Sequence, residues 1–501
     1  MSNKPTAAVI GSGFGGLSLA IRLQSAGVQT TILEKRDKPG GRAYVYEDQG
    51  FSFDGGPTVI TDPSALEALF TLTDRSMDDY VDLMPIDPMY RLCWEDGDVF
   101  DYTNNAEQLE AQIRARSEAD LEGYRRVLDY SQETFEKGYL ELGHVPFLNF
   151  SSMLRVAPDL IRLGAYRSVY KMISKYIQDE HLRQAFSFHP LLVGGNPFKT
   201  SAIYSLIHAL EREWGVWFAR GGTAALVRGM VRLFEDLGGT LRLNAEVNKV
   251  DESAGRITGL TTKDGWQGQF DAVASNADVM HTYQKLLGHT DRGQKKSRIL
   301  NRQKWSMSLF VIYFGLKRIH PDLKHHMVIF GPRYKELVHD IFNSPDLADD
   351  FSLYLHAPTL SDPSLAPDGC SAYYVLSPVP HLGTADLNWD EVGPKYADRI
   401  LGYLEQHYLP GLKDDLVTMR ILDPFGFRDD LNSHHGSAFS VEPVLTQSAW
   451  FRPHNRDPKL KNLYLVGAGT HPGAGIPGVV GSARATAGLM LDDFKLPAQT
   501  Q

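Results

Sequence analysis

The sequence predicts an α/β protein whose nucleotide-binding half is assembled from both ends of the chain. Three observations predict it. VIGSGFGGLSLAIRL, residues 9–23, runs from a short buried strand through a glycine loop into a helix. QTTILEK follows as a second strand and completes a β–α–β unit. Near the other end, NLYLVGAGTHPGAGIPGVVGSARATAGLM again reads strand, glycine loop, helix.

The elements follow in order. TAAVIG is a short buried strand, and FGGLSLAIRLQSAG is a helix closed by Gly27. KPGGRAYVYEDQGFSFDGGPTVI is rich in loops and strands, with paired glycines at turns. From about 106 to 214 the chain is mostly helical, as in EADLEGYRRVLDYSQETF. RGGTAALVRGMVRLFEDLGGTLRLNAEVNKVD reads helix, Gly-Gly turn and two strands, and GQFDAVASNA is a strand ending in a turn. Residues 281–449 mix strands (MSLFVIYFGL, DFSLYLHAP) with a helix, KYADRILGYLEQHYLPGL. This gives a discontinuous cofactor domain over 1–80, 215–280 and 450–501. A mixed-sheet substrate domain covers 81–115 and 281–449, and a helical domain covers 116–214.

Each residue of the first loop has a task. Gly11 allows the tight turn, Gly13 lets the backbone approach a pyrophosphate, and Gly16 lets helix and strand pack closely. The helix N-terminus adds free N–H groups and partial positive charge. Glu34 ends the second strand, 18 residues beyond Gly16. A carboxylate there accepts hydrogen bonds from ribose hydroxyls and repels a 2′-phosphate, so NADP is disfavoured. Lys35 follows it. Gly40, Gly41 and Arg42 then form a turn in which Arg42 can oppose a pyrophosphate or brace the loop. Gly55, Gly56 and Pro57 offer bare backbone to a flat ring.

Composition narrows the function classes. Lys plus Arg is 51 and Asp plus Glu is 61, for a net charge of −10, which argues against nucleic acid as the main partner. Two cysteines, Cys93 and Cys370, suggest neither a disulfide framework nor a thiolate metal site. No signal-peptide core and no long uncharged apolar run stand out, so the expectation is a cytoplasmic protein with at most peripheral membrane contact. His325–His326 and His434–His435 are adjacent pairs without a third spaced ligand, so no metal is expected. Trp214 and Trp217 read as packing residues.

With these motifs read, the chain resembles the bacterial-type phytoene desaturases, the flavin-dependent carotenoid desaturases, almost end to end. GSGFGGLSLAIRLQ, EKRDKPGGRAYVYEDQGFSFDGGPTVITDP, HLRQAFSFHPLLVGGNPF, HALEREWGVWFARGGT, SAFSVEPVLTQSAWFRPHNRD and the terminal block carry the likeness. The resemblance implies a Rossmann-like FAD-binding domain of the glutathione-reductase/amine-oxidase flavoprotein type, a mixed-sheet substrate domain and a helical membrane-facing domain. It implies FAD held at both glycine loops, with Gly467, Gly469, Gly475, Ile476, Pro477 and Gly478 along the ribityl chain and ring. The last helix, from about Val479, would aim its positive end at the flavin. Ala468 and Gly469 stand where many related flavoproteins carry an acidic residue. LNAEVNKV resembles the strand that touches adenine, which places Val247 there.

The implied reaction is stepwise dehydrogenation of 15-cis-phytoene through phytofluene, zeta-carotene and neurosporene to lycopene, with quinone or oxygen as electron acceptor. Carotenoid isomerases, ketolases and three-step desaturases share the resemblance. Amine or porphyrinogen oxidases and non-enzymatic prenyl-lipid carriers share the general fold. The likeness puts FSSMLR near a substrate tunnel, where Arg155 would either steer developing charge or face a membrane as a surface cation. From Ser151 to Tyr176, Arg155, Arg162, Arg167, Lys171 and Lys175 oppose a single acid, Asp159. Ile161, Ala165, Val169, Ile173 and Ile177 recur four apart, as on one helix face. A basic amphipathic helix of this kind fits peripheral contact with the inner face of the cell membrane.

Overall fold

The structure is a computed structural model that describes residues 4–499. Residues 1–3 and 500–501 of the ranges given above lie outside the described residues. A five-stranded parallel sheet takes its strands in the order Leu463–Leu465, Ala272–Ser275, Thr6–Ile10, Gln29–Leu33 and Thr240–Arg242. Val9 pairs with Ala274 on one side and Ile32 on the other. The central strand reads as continuous apolar residues because both of its faces are covered. The helices Phe14–Ser25 and Ile476–Asp493 pack together on this sheet. The terminal helix begins at Ile476, three residues before the sequence suggested, because Pro477 needs no N–H in a first turn.

A seven-stranded mixed sheet forms the second layer. Its order is Leu416–Leu422, Ser308–Leu316, Ser371–Val379, Leu353–His356, His326–Ile329, Tyr90–Cys93 and Val99–Tyr102. All nine residues of Ser308–Leu316 are buried. Leu309, Val311 and Tyr313 point to one apolar cluster, and Phe310, Ile312 and Phe314 to another, beneath the helix Trp389–His407. A one-residue register slip would exchange these two faces, so the pairing is tightly specified. A two-stranded ladder, Leu83–Ile86 with Val216–Ala219, ties segments 81–115 and 215–280 together. No helix among the described residues is long and apolar enough to cross a membrane.

The four-residue stripe from Ile161 to Ile177 is not one helix face. The helix Phe150–Arg162 ends at a left-handed Gly164, and a new short helix, Val169–Ile173, follows. Ala165, Val169, Ile173 and Ile177 are core residues, while Ile161 is 68% exposed. A four-residue period cannot distinguish one long helix from two short ones when the breaking glycine lies between the counted positions. Phe150, Leu154 and Ile161 nevertheless share one face of the first helix, and all three are exposed.

Candidate functional site

One cavity of about 550 Å³ joins both glycine loops to the apolar face of the large sheet. Gly11, with φ +92°, turns the chain, and its N–H donates to Leu33 O at 2.8 Å. Gly13 precedes the helix Phe14–Ser25 and lines the cavity. Gly16 does not line it. A Cβ on Gly16 would lie 2.1 Å from Gly11 O, so its role is packing.

Glu34 is 4% exposed on the cavity wall. Its Oε2 accepts from Ser12 N (2.9 Å) and Ser12 Oγ (2.6 Å), and its Oε1 accepts from Arg36 N (3.0 Å). The carboxylate is thus fixed in orientation, with lone pairs to spare for a ribose. Lys35 Nζ donates to Asp429 O at 2.9 Å, and burial lowers its pKa. Arg42 lies beside Asp278, and its Nη2 donates to Ser433 Oγ at 3.0 Å. Burial lowers the Arg42 pKa and raises that of Asp278. Gly56 packs so tightly that a Cβ would sit 2.5 Å from Arg42 O. Pro57 and Val247 also line the cavity.

From the other chain end, Gly475, Ile476, Pro477 and Gly478 present the N-terminus of the terminal helix to the same space. Ala468 lines the cavity, whereas Gly467 and Gly469 on either side of it do not and pack instead against Asn276 and Val279. Arg155 is exposed on the outer side of its helix and is not on the cavity wall. That placement fits the surface-cation reading.

The sequence reading missed two residues that hold the cradle together. The Asn276 carboxamide sits where Cβ atoms on Gly13, Gly15, Gly16 and Gly467 would come within 2.5–3.2 Å of it. It therefore locks both glycine loops to the end of the strand Ala272–Ser275. Its signal in the sequence is an asparagine directly after a buried strand. Arg452, 2% exposed, donates to Thr470 O (3.0 Å), Ala468 O (2.7 Å) and Val441 O (3.0 Å), and fixes the terminal loop. Trp214 packs on Phe135, and Trp217 Nε1 donates to Trp214 O at 2.6 Å.

Beyond the nucleotide cradle the wall becomes apolar. Phe188, Leu210, Met307, Leu309, Val328 and Phe330 form it, and Met153, Val156 and Leu160 close it from the helix Phe150–Arg162. The polar interruptions include Thr58, Tyr354 and Tyr374. Thr58 Oγ1 lies 2.6 Å from Tyr374 Oη and 3.2 Å from Tyr354 Oη. Tyr354 Oη in turn meets His326 Nδ1 at 2.6 Å. Sequence spacing offered no third ligand for the pair His325–His326, but the sheet brings His356 beside them, with His356 Nε2 3.0 Å from His325 Nε2.

The chain matches the family of flavin containing amine oxidoreductases over residues 14–491. It is 64% identical to a lycopene-forming phytoene desaturase of Pantoea ananas, covering 98% of this chain and 100% of that one. The chain belongs to the phytoene desaturase family. A neurosporene-forming phytoene desaturase of Cereibacter sphaeroides is 42% identical over 98% of this chain and 95% of its own. Among solved structures, a putrescine oxidase aligns over 98% of this chain and all of its own, with a TM-score of 0.64 at 14% identity. That likeness shows the flavin amine-oxidase type of α/β fold. The cradle of this phytoene desaturase family member fits a flavin: two glycine loops stand where side chains would fill the space, and a helix N-terminus opens onto it.

Proposed function

We infer that the protein binds FAD and desaturates phytoene in four steps to lycopene. The observation that carries this reading is a single cavity in which a nucleotide cradle opens directly onto an apolar arm. A hydrocarbon with no polar handle requires such an arm, because desolvation is its main source of affinity. The 64% identity to a lycopene-forming enzyme, against 42% to a neurosporene-forming one, favours four steps over three. The bound flavin supplies two-electron chemistry by accepting a hydride. The protein's own residues orient it. Glu34 takes the ribose, the helix at Gly475 favours negative charge nearby, and the wall from Met307 to Val311 keeps water from the reacting carbons.

The test is anaerobic mixing of the flavin-loaded protein with phytoene in liposomes. Bleaching of the flavin together with new polyene absorbance is expected, and the extracted product should carry lycopene's conjugation length. Tight phytoene binding with an unchanged flavin would move the protein to the carrier reading. A shorter polyene would mark a three-step enzyme.

The electron acceptor in this reading is a quinone or oxygen, and the protein works at the inner face of the cell membrane. Support for membrane contact comes from the helix Phe150–Arg162. Its inner face, with Met153, Val156 and Leu160, closes the cavity. Its outer face exposes Phe150, Leu154 (61%) and Ile161 (68%), with Arg155 and Arg162 beside them. One helix therefore separates the outside from the hydrocarbon site, and an anionic lipid surface matches its charge. Changing Leu154 and Ile161 together to Asp should weaken pelleting with anionic liposomes by at least about tenfold, since each loses on the order of 1–2 kcal/mol of apolar transfer. Reversing Arg167, Lys171 and Lys175 to Glu should remove the salt-sensitive part of the binding. Unchanged pelleting in both variants would end the membrane reading.

A further inference from the structure

Removing hydrogen from two adjacent carbons as hydride and proton leaves one proton inside a cavity with an apolar wall. The carboxylates on the cavity wall divide into two groups. Glu34, Glu246, Asp278 and Asp430 gather around Lys35, Arg36 and Arg42 at the nucleotide end. Among the described residues on the wall, Glu211 is the one carboxylate in the apolar arm. It stands on the helix Leu206–Trp214, which turns Ile207, Leu210 and Glu211 to the cavity. Its exposure is 0%.

Glu211 is held as a reacting group would be. Tyr90 Oη donates to Oε1 at 2.7 Å, and His189 Nε2 lies 3.0 Å from Oε2. Tyr90 and His189 are themselves buried. Among the described residues no group bonds His189 Nδ1, while its Nε2 faces the Glu211 carboxylate. Tyr90 and His189 do not themselves line the cavity, but Tyr90 is linked through ring and hydrogen-bond contacts to the Gly55–Gly56–Pro57 turn. The Tyr90 ring lies 6.0 Å from the His326 ring, and His326 reaches Thr58, the residue after Pro57, through Tyr354.

The geometry points to Glu211 as the proton acceptor of the desaturation, with Tyr90 and His189 as positioning residues; this rests on the function proposed above. One carbon gives its hydrogen and electron pair to the flavin. The neighbouring C–H bond breaks, its proton goes to a Glu211 carboxylate oxygen, and its electron pair becomes the new π bond. Glu211 ends neutral. Glu211 would return its proton toward His189 and solvent once a quinone or oxygen had reoxidised a bound flavin.

The test is Glu211→Gln in the flavin-loaded protein, a change that keeps size and removes basicity. Flavin content and phytoene binding should persist, while the rate of flavin bleaching should fall by about 100-fold or more, as for loss of a general base. In the wild type, an infrared difference spectrum of one anaerobic turnover should show a new protonated-carboxyl band that Glu211→Gln lacks. A second variant, Tyr90→Phe, guards against a folding defect. It removes a donor that stabilises the charged carboxylate, so the acidic limb of the pH–rate profile should move to higher pH. Bleaching of Glu211→Gln within about threefold of wild type, or an unmoved acidic limb in Tyr90→Phe, would overturn the assignment. If the wild type itself does not desaturate phytoene, the function has failed rather than this residue.

Discussion

Replacing Gly16 with valine should yield protein that holds no flavin and is destabilised by at least about 3 kcal/mol, the upper end for overpacked cores. A Cβ at this position lies 2.1 Å from Gly11 O and 3.2 Å from the Asn276 Cβ. The nearest obstacle is backbone, which cannot rotate away as a side chain could. Relief would have to come from lifting the helix Phe14–Ser25 off the strand Thr6–Ile10. That movement would carry Gly13 out of the cavity wall and break the seat of the Asn276 amide. Urea unfolding and flavin absorbance per mole of protein would measure both effects. Gly488→Ala serves as the contrast, because it lies exposed in the terminal helix with nothing within 4 Å of its Cβ. That change should raise stability by about 0.5–1 kcal/mol. A folded, flavin-loaded Gly16→Val protein would show that the loop tolerates a wider helix–strand gap than its geometry implies.

Stability should also fall steeply as pH drops from about 6.5 to 4. Burial pushes His325 down to about 3 and His471 down to about 4, and it holds His208, His326 and His356 well below the ordinary range. The sign follows from proton counting. Below about 6.5 the unfolded chain protonates these histidines while the folded protein keeps them neutral, so acid favours unfolding. The stabilisation is fully present above 6.5. At pH 5 a single histidine with a folded pKa near 3 accounts for about 2 kcal/mol, on the order of one and a half pKa units. Several such groups together approach the whole stability of an ordinary domain. Thermal unfolding between pH 7 and 5 would test this, and His325→Asn should flatten the curve on the acidic side. A melting temperature that does not change over that interval would contradict the burial of these rings.

Gly11, Gly13 and Glu34 could be identified from sequence because their chemistry is local. A tight turn, a close approach to phosphate and a carboxylate at a strand end each need a particular residue at a particular spacing. The turns at Gly41–Arg42 and Gly56–Pro57 were legible for the same reason, as was the terminal glycine loop. The strand Ser308–Leu316 announced itself by a continuous apolar run.

The residues that spacing could not find act across distance in the chain. Asn276 looks like an ordinary turn residue until the parallel sheet sets it between two glycine loops nearly 200 residues or more from it. Glu211 and Glu213 stand two apart in HALEREW, and nothing local separates them. The angle of one helix buries the first against Tyr90 and His189 and leaves the second off the cavity wall. Arg155 falls at an exposed position of its helix and off the cavity wall, which its segment alone does not reveal. By itself the sequence determined the two glycine loops and the family, because backbone geometry is written in consecutive residues. The tertiary structure decided which charged groups meet the hydrocarbon, because desolvation and orientation arise only when distant segments pack together.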